Sequence, residues 1–443
     1  ATVTESHQGQ VRSPKTMVIK EFFVASTKKE DLELNTKIKT YVVGYPRMGE
    51  QRELKKALES FWNQKTDIHE LVAIAKDLRR QHWLQQKAAD VSFISSNDFS
   101  FYDNMLDTAI MLNAIPERFA HIENEQERYF SMARGNDTAV AMEMTKWFNT
   151  NYHYLVPELS EKMDFSLNAE KIIKEYQEAK EIGIRTKINI IGPLTFLSLS
   201  KRVDGKLNPL ALLPKILPCY VSLLHEIAEL DQEVYIQFEE PIVVKENTGE
   251  TWELLQQCYQ VLAQVDNKLK LIVMTYFAQA VEAVKALVET PIYGIGLDFV
   301  YGRENLMVLE WLQGKKLIAG LVDGRNIWKN DYQNTLALLE TISEKIKKED
   351  IVLSTSCSLL HVPYSLAQEQ RLDPEIRAWM SFAREKLQEL SELAELFSDV
   401  NQKNSKMMLE NNQKIMVAKQ QSPKVIEPKV RARLGNVTPV ERE

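Results

Sequence analysis

Eight short apolar, β-branched runs recur along this sequence, each followed by a longer stretch of helical spacing. That alternation restricts the fold more than any other feature. The runs occupy residues 41–45, 91–95, 187–191, 234–238, 269–274, 292–299, 316–322 and 351–355. Each has about the length of a strand buried on both faces. Residues 52–62 place Leu54, Ala57, Leu58 and Phe61 on one helical face, and residues 68–89, 208–230, 251–264, 279–288, 304–312, 334–347 and 373–396 behave similarly. Eight strand–helix units predict an α/β chain folded as a (β/α)8 TIM barrel. A doubly wound open sheet is the alternative, but it explains eight consecutive parallel units less naturally. It would usually show a Gly-rich phosphate turn, and neither GxGxxG nor GxxxxGK[ST] occurs. Residues 100–186, between the second and third runs, exceed what one crossover needs and predict a helical insertion over one face of the barrel.

The ends have a different texture. Residues 1–40 are polar, mixed in charge and without a clear period, which reads as an extension. Residues 41–398 form the barrel. Residues 399–443 read as a linker helix and tail: 401–421 are rich in Asn, Gln, Lys and Met, and Pro423, Pro428 and Pro439 follow among basic residues.

Composition excludes several classes. Of 443 residues, 55 are Lys or Arg and 62 are Asp or Glu, a net charge of −7. This argues against a general nucleic-acid binder but leaves room for a local basic pocket. Cys219, Cys258 and Cys357 are widely spaced and form no CxxC, which fits a reducing cytoplasm rather than a disulfide framework. No apolar run approaches the roughly 20 residues that span a bilayer, so no membrane partner is expected.

A barrel carries its site at the C-terminal ends of its strands. Those exits read Pro46-Arg47-Met48-Gly49, Asn97-Asp98-Phe99, Gly192-Pro193-Leu194-Thr195, Glu239-Glu240-Pro241, Thr275-Tyr276, Asp298, Asp323-Gly324-Arg325-Asn326 and Ser356-Cys357-Ser358 with His361. So many polar exits favour a ligand-binding mouth, although Asp, Asn, Ser and Gly also cap helices and close turns. Glu239 and Glu240 could be an acid/base pair. The plainer reading makes one a strand-end acceptor and the other a surface group. Arg52, Lys55 and Lys56 open the first helix, where cations oppose the dipole and suit an acidic ligand. A solvated face screened by Glu53 and Glu59 is the plainer alternative. Glu143 and Lys146 sit on an expected short helix before the aromatic run from Trp147 to Tyr154. Cys357 and His361 lack further ligands at useful spacing, so no metal site and no catalytic residue is assigned.

Several runs resemble cobalamin-independent methionine synthase, in family order. They are Val43-Gly44-Tyr45-Pro46-Arg47-Met48-Gly49 with Arg52-Glu53-Leu54-Lys55-Lys56-Ala57, the run Glu143 to Tyr154, Gly320 to Trp328, and Ser356 to Pro363. The resemblance covers residues 41–440 and is to the family's N-terminal barrel and linker. It implies a part in methionine biosynthesis, in a 5-methyltetrahydropteroyltriglutamate–homocysteine S-methyltransferase. The catalytic zinc and the homocysteine site would lie in a second, C-terminal barrel outside this chain, leaving this chain without a cofactor and inactive alone. It further implies that Arg52, Glu53, Leu54, Lys55 and Lys146 bind the oligoglutamate tail of 5-methyltetrahydropteroyl-oligoglutamate. The implied partners are that folate and the zinc barrel, in the same protein or a separate chain. Two departures stand at the mouth: Asn97 where Gly is expected, and Glu239 where Asp is expected. A stand-alone folate-binding or scaffold subunit, and a divergent single-barrel enzyme using Glu239 and Asp298, are the competing readings.

Overall fold

The structure, a computed structural model, describes residues 37–312, 314–398 and 402–436. Eight strands form one parallel sheet: β1 (Lys39–Tyr41), β2 (Ser95–Ser96), β3 (Lys187–Ile191), β4 (Val234–Glu239), β5 (Leu269–Met274), β6 (Gly294–Asp298), β7 (Lys316–Val322) and β8 (Ile351–Thr355). Their order is β1-β8-β7-β6-β5-β4-β3-β2. In the ladders Thr40 faces Leu353, Ile188 faces Ile236, and Phe238 faces Val273. The two ends of this order also touch. Tyr41 and Phe93 form a parallel bridge, with Phe93 N donating to Thr40 O at 3.0 Å. The result is a curled, TIM-barrel-like α/β sheet.

All five residues of β3 and of β8 are buried, as a sheet covered by crossover helices requires. The covering helices include α1 (Glu53–Trp62), α2 (Ile68–Ala88), α5 (Glu170–Glu181), α7 (Leu213–Ala228), α8 (Gly249–Leu262), α9 (Val281–Val288), α10 (Tyr332–Ser343) and α12 (Ala383–Ser398). Several start where the sequence supplies a cap. Asp67 accepts from Glu70 N, and Asp331 from Asn334 N, each satisfying a first-turn donor. Helices α1 and α2 share a separate apolar cluster in which Leu54, Leu58, Leu71 and Leu78 meet Phe99 and Phe130.

Some expectations need correction. The first strand begins at Lys39, so residues 39 and 40 belong to the sheet rather than to the extension. Residues 1–36 of that extension lie outside the described residues. Lys146 is on a strand, not a helix: Met144–Lys146 pairs antiparallel with His153–Leu155. The segment between β2 and β3 therefore mixes this hairpin with α3 (Asn104–Met111), α4 (Glu125–Arg134) and α5. Residues 373–396 are two helices, α11 (Pro374–Ala378) and α12, separated where Ser381 N bonds Ile327 O at 2.7 Å. The polar helix is α13 (Gln402–Gln421), and the proline-containing tail holds a further helix, α14 (Pro428–Gly435). Pro428 suits a first helical turn, where its missing N–H has no partner to lose. One helical stretch, Pro209–Ala228, is long and apolar enough to cross a bilayer, contrary to expectation. Its Leu213, Ile216, Tyr220, Leu223, Leu224 and Ile227 are buried in the core around the sheet.

Candidate functional site at the sheet mouth

The sheet interior carries a polar layer centred on Lys187. Its ammonium donates to Ser95 Oγ at 2.6 Å, Asn189 Oδ1 at 2.8 Å and Gln237 Oε1 at 2.8 Å, and lies 4.4 Å from the Tyr41 ring centre. Tyr41 donates to the same Gln237 oxygen at 2.7 Å. Above them Glu239 accepts from Tyr276 Oη at 2.6 Å and from Gln237 Nε2 at 3.0 Å. Burial lowers the Lys187 pKa and raises those of Asp98 and Glu239, while attraction between the lysine and the two acids opposes each shift. Every polar group in this layer has a partner, so it acts as a fixed floor rather than a free nucleophile.

Glu239 and Glu240 are both buried, which removes the reading of one as a surface group. Glu240 accepts from Leu194 N, Thr195 N, Thr195 Oγ1 and Tyr259 Oη. It thereby caps α6 (Pro193–Ser198). A Cβ on Gly192 would fall 2.1 Å from that carboxylate. The glycine is what lets the acid reach the helix.

Over the floor lies a cavity of about 270 Å³, lined on its polar side by Asn97, Asp98, Asn189, Glu239 and Ser358, and on its apolar side by Phe99, Phe101, Tyr129 and Phe130. The departure at Asn97 has a local explanation. Its φ is 61°, a left-handed conformation that glycine adopts freely and Asn tolerates better than most residues. Its side chain is fixed as well, receiving Lys171 Nζ at 2.7 Å and donating to Asn189 O at 2.7 Å.

The hairpin tip lies against the strand exits. Arg325 Nη2 donates to Asn149 O at 3.2 Å and Asn149 Oδ1 at 2.9 Å, while its guanidinium lies 4.8 Å from the Phe277 ring and 5.2 Å from Tyr301. Phe148 meets Phe277 at 5.5 Å, and both have positive φ, 54° and 85°. Left-handed conformations in bulky residues cost about 1–3 kcal/mol each and persist only where surroundings hold them. Here the surroundings are this clamp.

The candidate tail-binding residues fall in two places. Arg52 is exposed in a left-handed conformation before α1, with φ 61°. Glu53 accepts from Gln51 N at 3.0 Å. Lys55 is half-exposed and lies 3.6 Å from Glu59, partly as the plainer reading expected. Leu54 is fully buried and its N–H already donates to Met48 O at 3.1 Å; its contribution is packing. Lys146 is exposed on the hairpin, and no ion pair joins it to another described residue. Sequence reasoning missed Lys187 and its partners, as well as the Arg325 clamp. The signal for the former was present: polar residues two apart in otherwise apolar strands, Lys187 and Asn189, Gln237 and Glu239.

Among the described residues no three His, Cys, Asp or Glu side chains converge to hold a metal. Cys219, Cys258 and Cys357 are each buried and separate. The described residues do not fit a zinc centre.

Comparison with known proteins agrees with the motifs. The family described as cobalamin-independent synthase, N-terminal domain, matches residues 39–347. A Desulforamulus reducens protein named 5-methyltetrahydropteroyltriglutamate–homocysteine methyltransferase is 68% identical over 405 residues, covering 91% of this chain and 53% of that protein. A Catharanthus roseus protein of the same name is 45% identical, covering 80% of this chain and 48% of that protein. The chain thus spans about half the length of the curated relatives it matches. Two solved structures share the fold. One is a B12-independent methionine synthase from Shewanella sp. W3-18-1 in complex with selenomethionine, with TM-score 0.55, 15% identity and coverage of 77% of this chain and 91% of that one. The other is a putative vitamin-B12 independent methionine synthase from Listeria monocytogenes, with TM-score 0.56, 12% identity and coverage of 81% and 98%. With motifs, fold and matched span in agreement, the chain belongs to the cobalamin-independent methionine synthase family and carries its N-terminal domain.

Proposed function

We propose that this chain contributes the N-terminal half of a cytoplasmic 5-methyltetrahydropteroyltriglutamate–homocysteine S-methyltransferase, binding the folate's glutamate tail and scaffolding the catalytic barrel. In this reading the curled sheet is a closed (β/α)8 barrel, and the segment between β2 and β3 is an insertion that presents the hairpin. The partners are 5-methyltetrahydropteroyl-oligoglutamate and a C-terminal zinc barrel, which holds the thiol chemistry. No step of methyl transfer is assigned to residues of this chain.

The observation that carries the proposal is Lys146, an exposed cation on a hairpin that Arg325 holds against the mouth. A tail of several carboxylates matches it, together with Arg52 and Lys55 at the start of α1, because charge-assisted contacts strengthen with each added carboxylate. The test is the binding of triglutamyl against monoglutamyl methylfolate. The triglutamyl form binds more tightly, and its advantage shrinks with salt and falls several-fold in Lys55→Ala and in Lys146→Ala. Equal advantage in parent and both variants would remove the tail-site assignment.

A further inference from the structure

The exit of β7 leads into a strap, residues 323–332, that ends on the first residue of α10. At its start Asp323 Oδ1 accepts from Arg325 N at 2.8 Å and from Asn326 N at 3.2 Å. This turn fixes the backbone from which Arg325 reaches Asn149 of the hairpin. Trp328 N then donates to Asn326 Oδ1 at 3.0 Å. Beyond the turn the strap is held from outside. Ile327 O accepts from Ser381 N at 2.7 Å, and Lys329 N donates to Trp379 O at 2.8 Å. Two residues of α12 take the next places: Lys386 Nζ donates to Trp328 O at 3.2 Å, and Glu389 Oε1 accepts from Asn330 N at 3.0 Å.

The far end of the strap is closed by the polar helix α13. Asn412 Nδ2 donates to Asn330 O at 2.9 Å, and Asn412 Oδ1 accepts from Tyr332 N at 3.0 Å. The second bond satisfies a first-turn donor of α10 from a different element. Further along α13, Lys419 Nζ lies 4.0 Å from the Trp328 ring centre. Asn412 is 5% exposed and is the one buried side chain among the described residues of α13. Its neighbour Gln413 is exposed and meets Gln333 at the surface. A helix docked by apolar contact alone can slide, whereas a buried amide with donor and acceptor both engaged has one fitting register. Losing it leaves two backbone groups of the strap without partners.

We propose that Asn412 is a positioning residue for the mouth: by closing the strap onto α13 it holds the turn that carries Arg325, and with it the hairpin. The linker helix is then part of the mouth's framework as well as a tether. The coupling to the hairpin rests on these contacts, and its effect on folate affinity rests also on the tail-binding proposal.

The experiment compares backbone amide exchange in the whole chain for the parent, Asn412→Ala, Asn412→Asp and Gln413→Ala. In Asn412→Ala the amides of Tyr332 and of the hairpin, Trp147 and Thr150 among them, exchange about tenfold faster, while those of β3 keep their rates. Asn412→Asp keeps the acceptor for Tyr332 N and loses the donor to Asn330 O. It speeds the hairpin amides while Tyr332 stays protected, and it carries the test if the alanine variant fails to fold. Gln413→Ala leaves the hairpin as in the parent. The advantage of triglutamyl over monoglutamyl methylfolate falls several-fold in the Asn412 variants. Faster hairpin exchange with an undiminished advantage upholds the coupling and counts against the tail assignment, so the two proposals fail separately. Hairpin rates unchanged in the folded Asn412 variants, raised equally in Gln413→Ala, or raised no more than those of β3 overturn the positioning role.

Discussion

His82 is buried on α2, with ring centres 5.4 Å from Tyr45 and 5.6 Å from Tyr364, and its Nε2 has no partner. Burial, aided by the nearby Arg79 charge, lowers its pKa to about 3. The unfolded chain takes up that proton near the ordinary value of about 6.5, so between those limits the unfolded state binds more protons. Stability therefore falls with falling pH across that window, by about 1.4 kcal/mol per pH unit where the difference is one full proton. His82→Phe keeps a ring against the two tyrosines and removes the titration. In urea unfolding at pH 7, 6 and 5, the variant gains on the parent progressively as pH falls; a constant difference contradicts this. The comparison of two chains is essential, because the raised pKa of buried Asp298, about 6, acts in the opposite direction in both. Asn97 and Glu239 show the residue scale from the other side. The sequence marked both as departures, but the backbone angle that makes Asn97 acceptable, and the Tyr276 hydroxyl that Glu239 reaches, become visible only in three dimensions.

Among the elements, β3, β5, β7 and β8 coincide with the apolar runs read from the sequence. The runs at 41–45 and 91–95 shift, because apolar character marks burial and not ladder pairing. Val43 is buried, yet its N–H bonds Thr355 Oγ1 rather than a neighbouring strand. The stretch with Glu143 and Lys146 looks helical in sequence for a related reason: the hairpin's strands are three residues each, too short for a period to declare itself. A two-stranded hairpin is marginal by itself, and this one is held by buried Trp147, Tyr154 and Leu155 and, at its tip, by Arg325. Arg325→Ala removes both bonds to Asn149 and the stacking on Phe277 and Tyr301. Amides of the hairpin then exchange faster, and triglutamyl methylfolate affinity drops to about the level of Lys146→Ala. Arg325→Lys does not restore it, since an ammonium lacks the planar face that lies over the Phe277 and Tyr301 rings. Unchanged exchange in the hairpin would show that Arg325 does not hold it.

At the scale of the molecule, the relevant contrast is between where polar groups converge and what kind they are. The sheet mouth gathers a lysine, amides, carboxylates and hydroxyls, and these satisfy one another. Among the described residues it gathers no metal-holding set of His, Cys, Asp or Glu. Burial raises the thiol pKa of Cys219, Cys258 and Cys357 alike. That is opposite to what a zinc-bound or nucleophilic thiolate needs. With a net charge of −7, the proposed tail binding would depend on placed cations rather than on a general basic field. The chain alone should therefore hold well under one zinc per molecule after purification without chelators. With homocysteine and triglutamyl methylfolate it should give no methyl transfer, although it binds the folate's tail. Metal analysis and a single-turnover assay on the same sample decide this together. A tightly held zinc near one per chain, accompanied by turnover, would place the chemistry in this domain and overturn the proposal that it is the binding half.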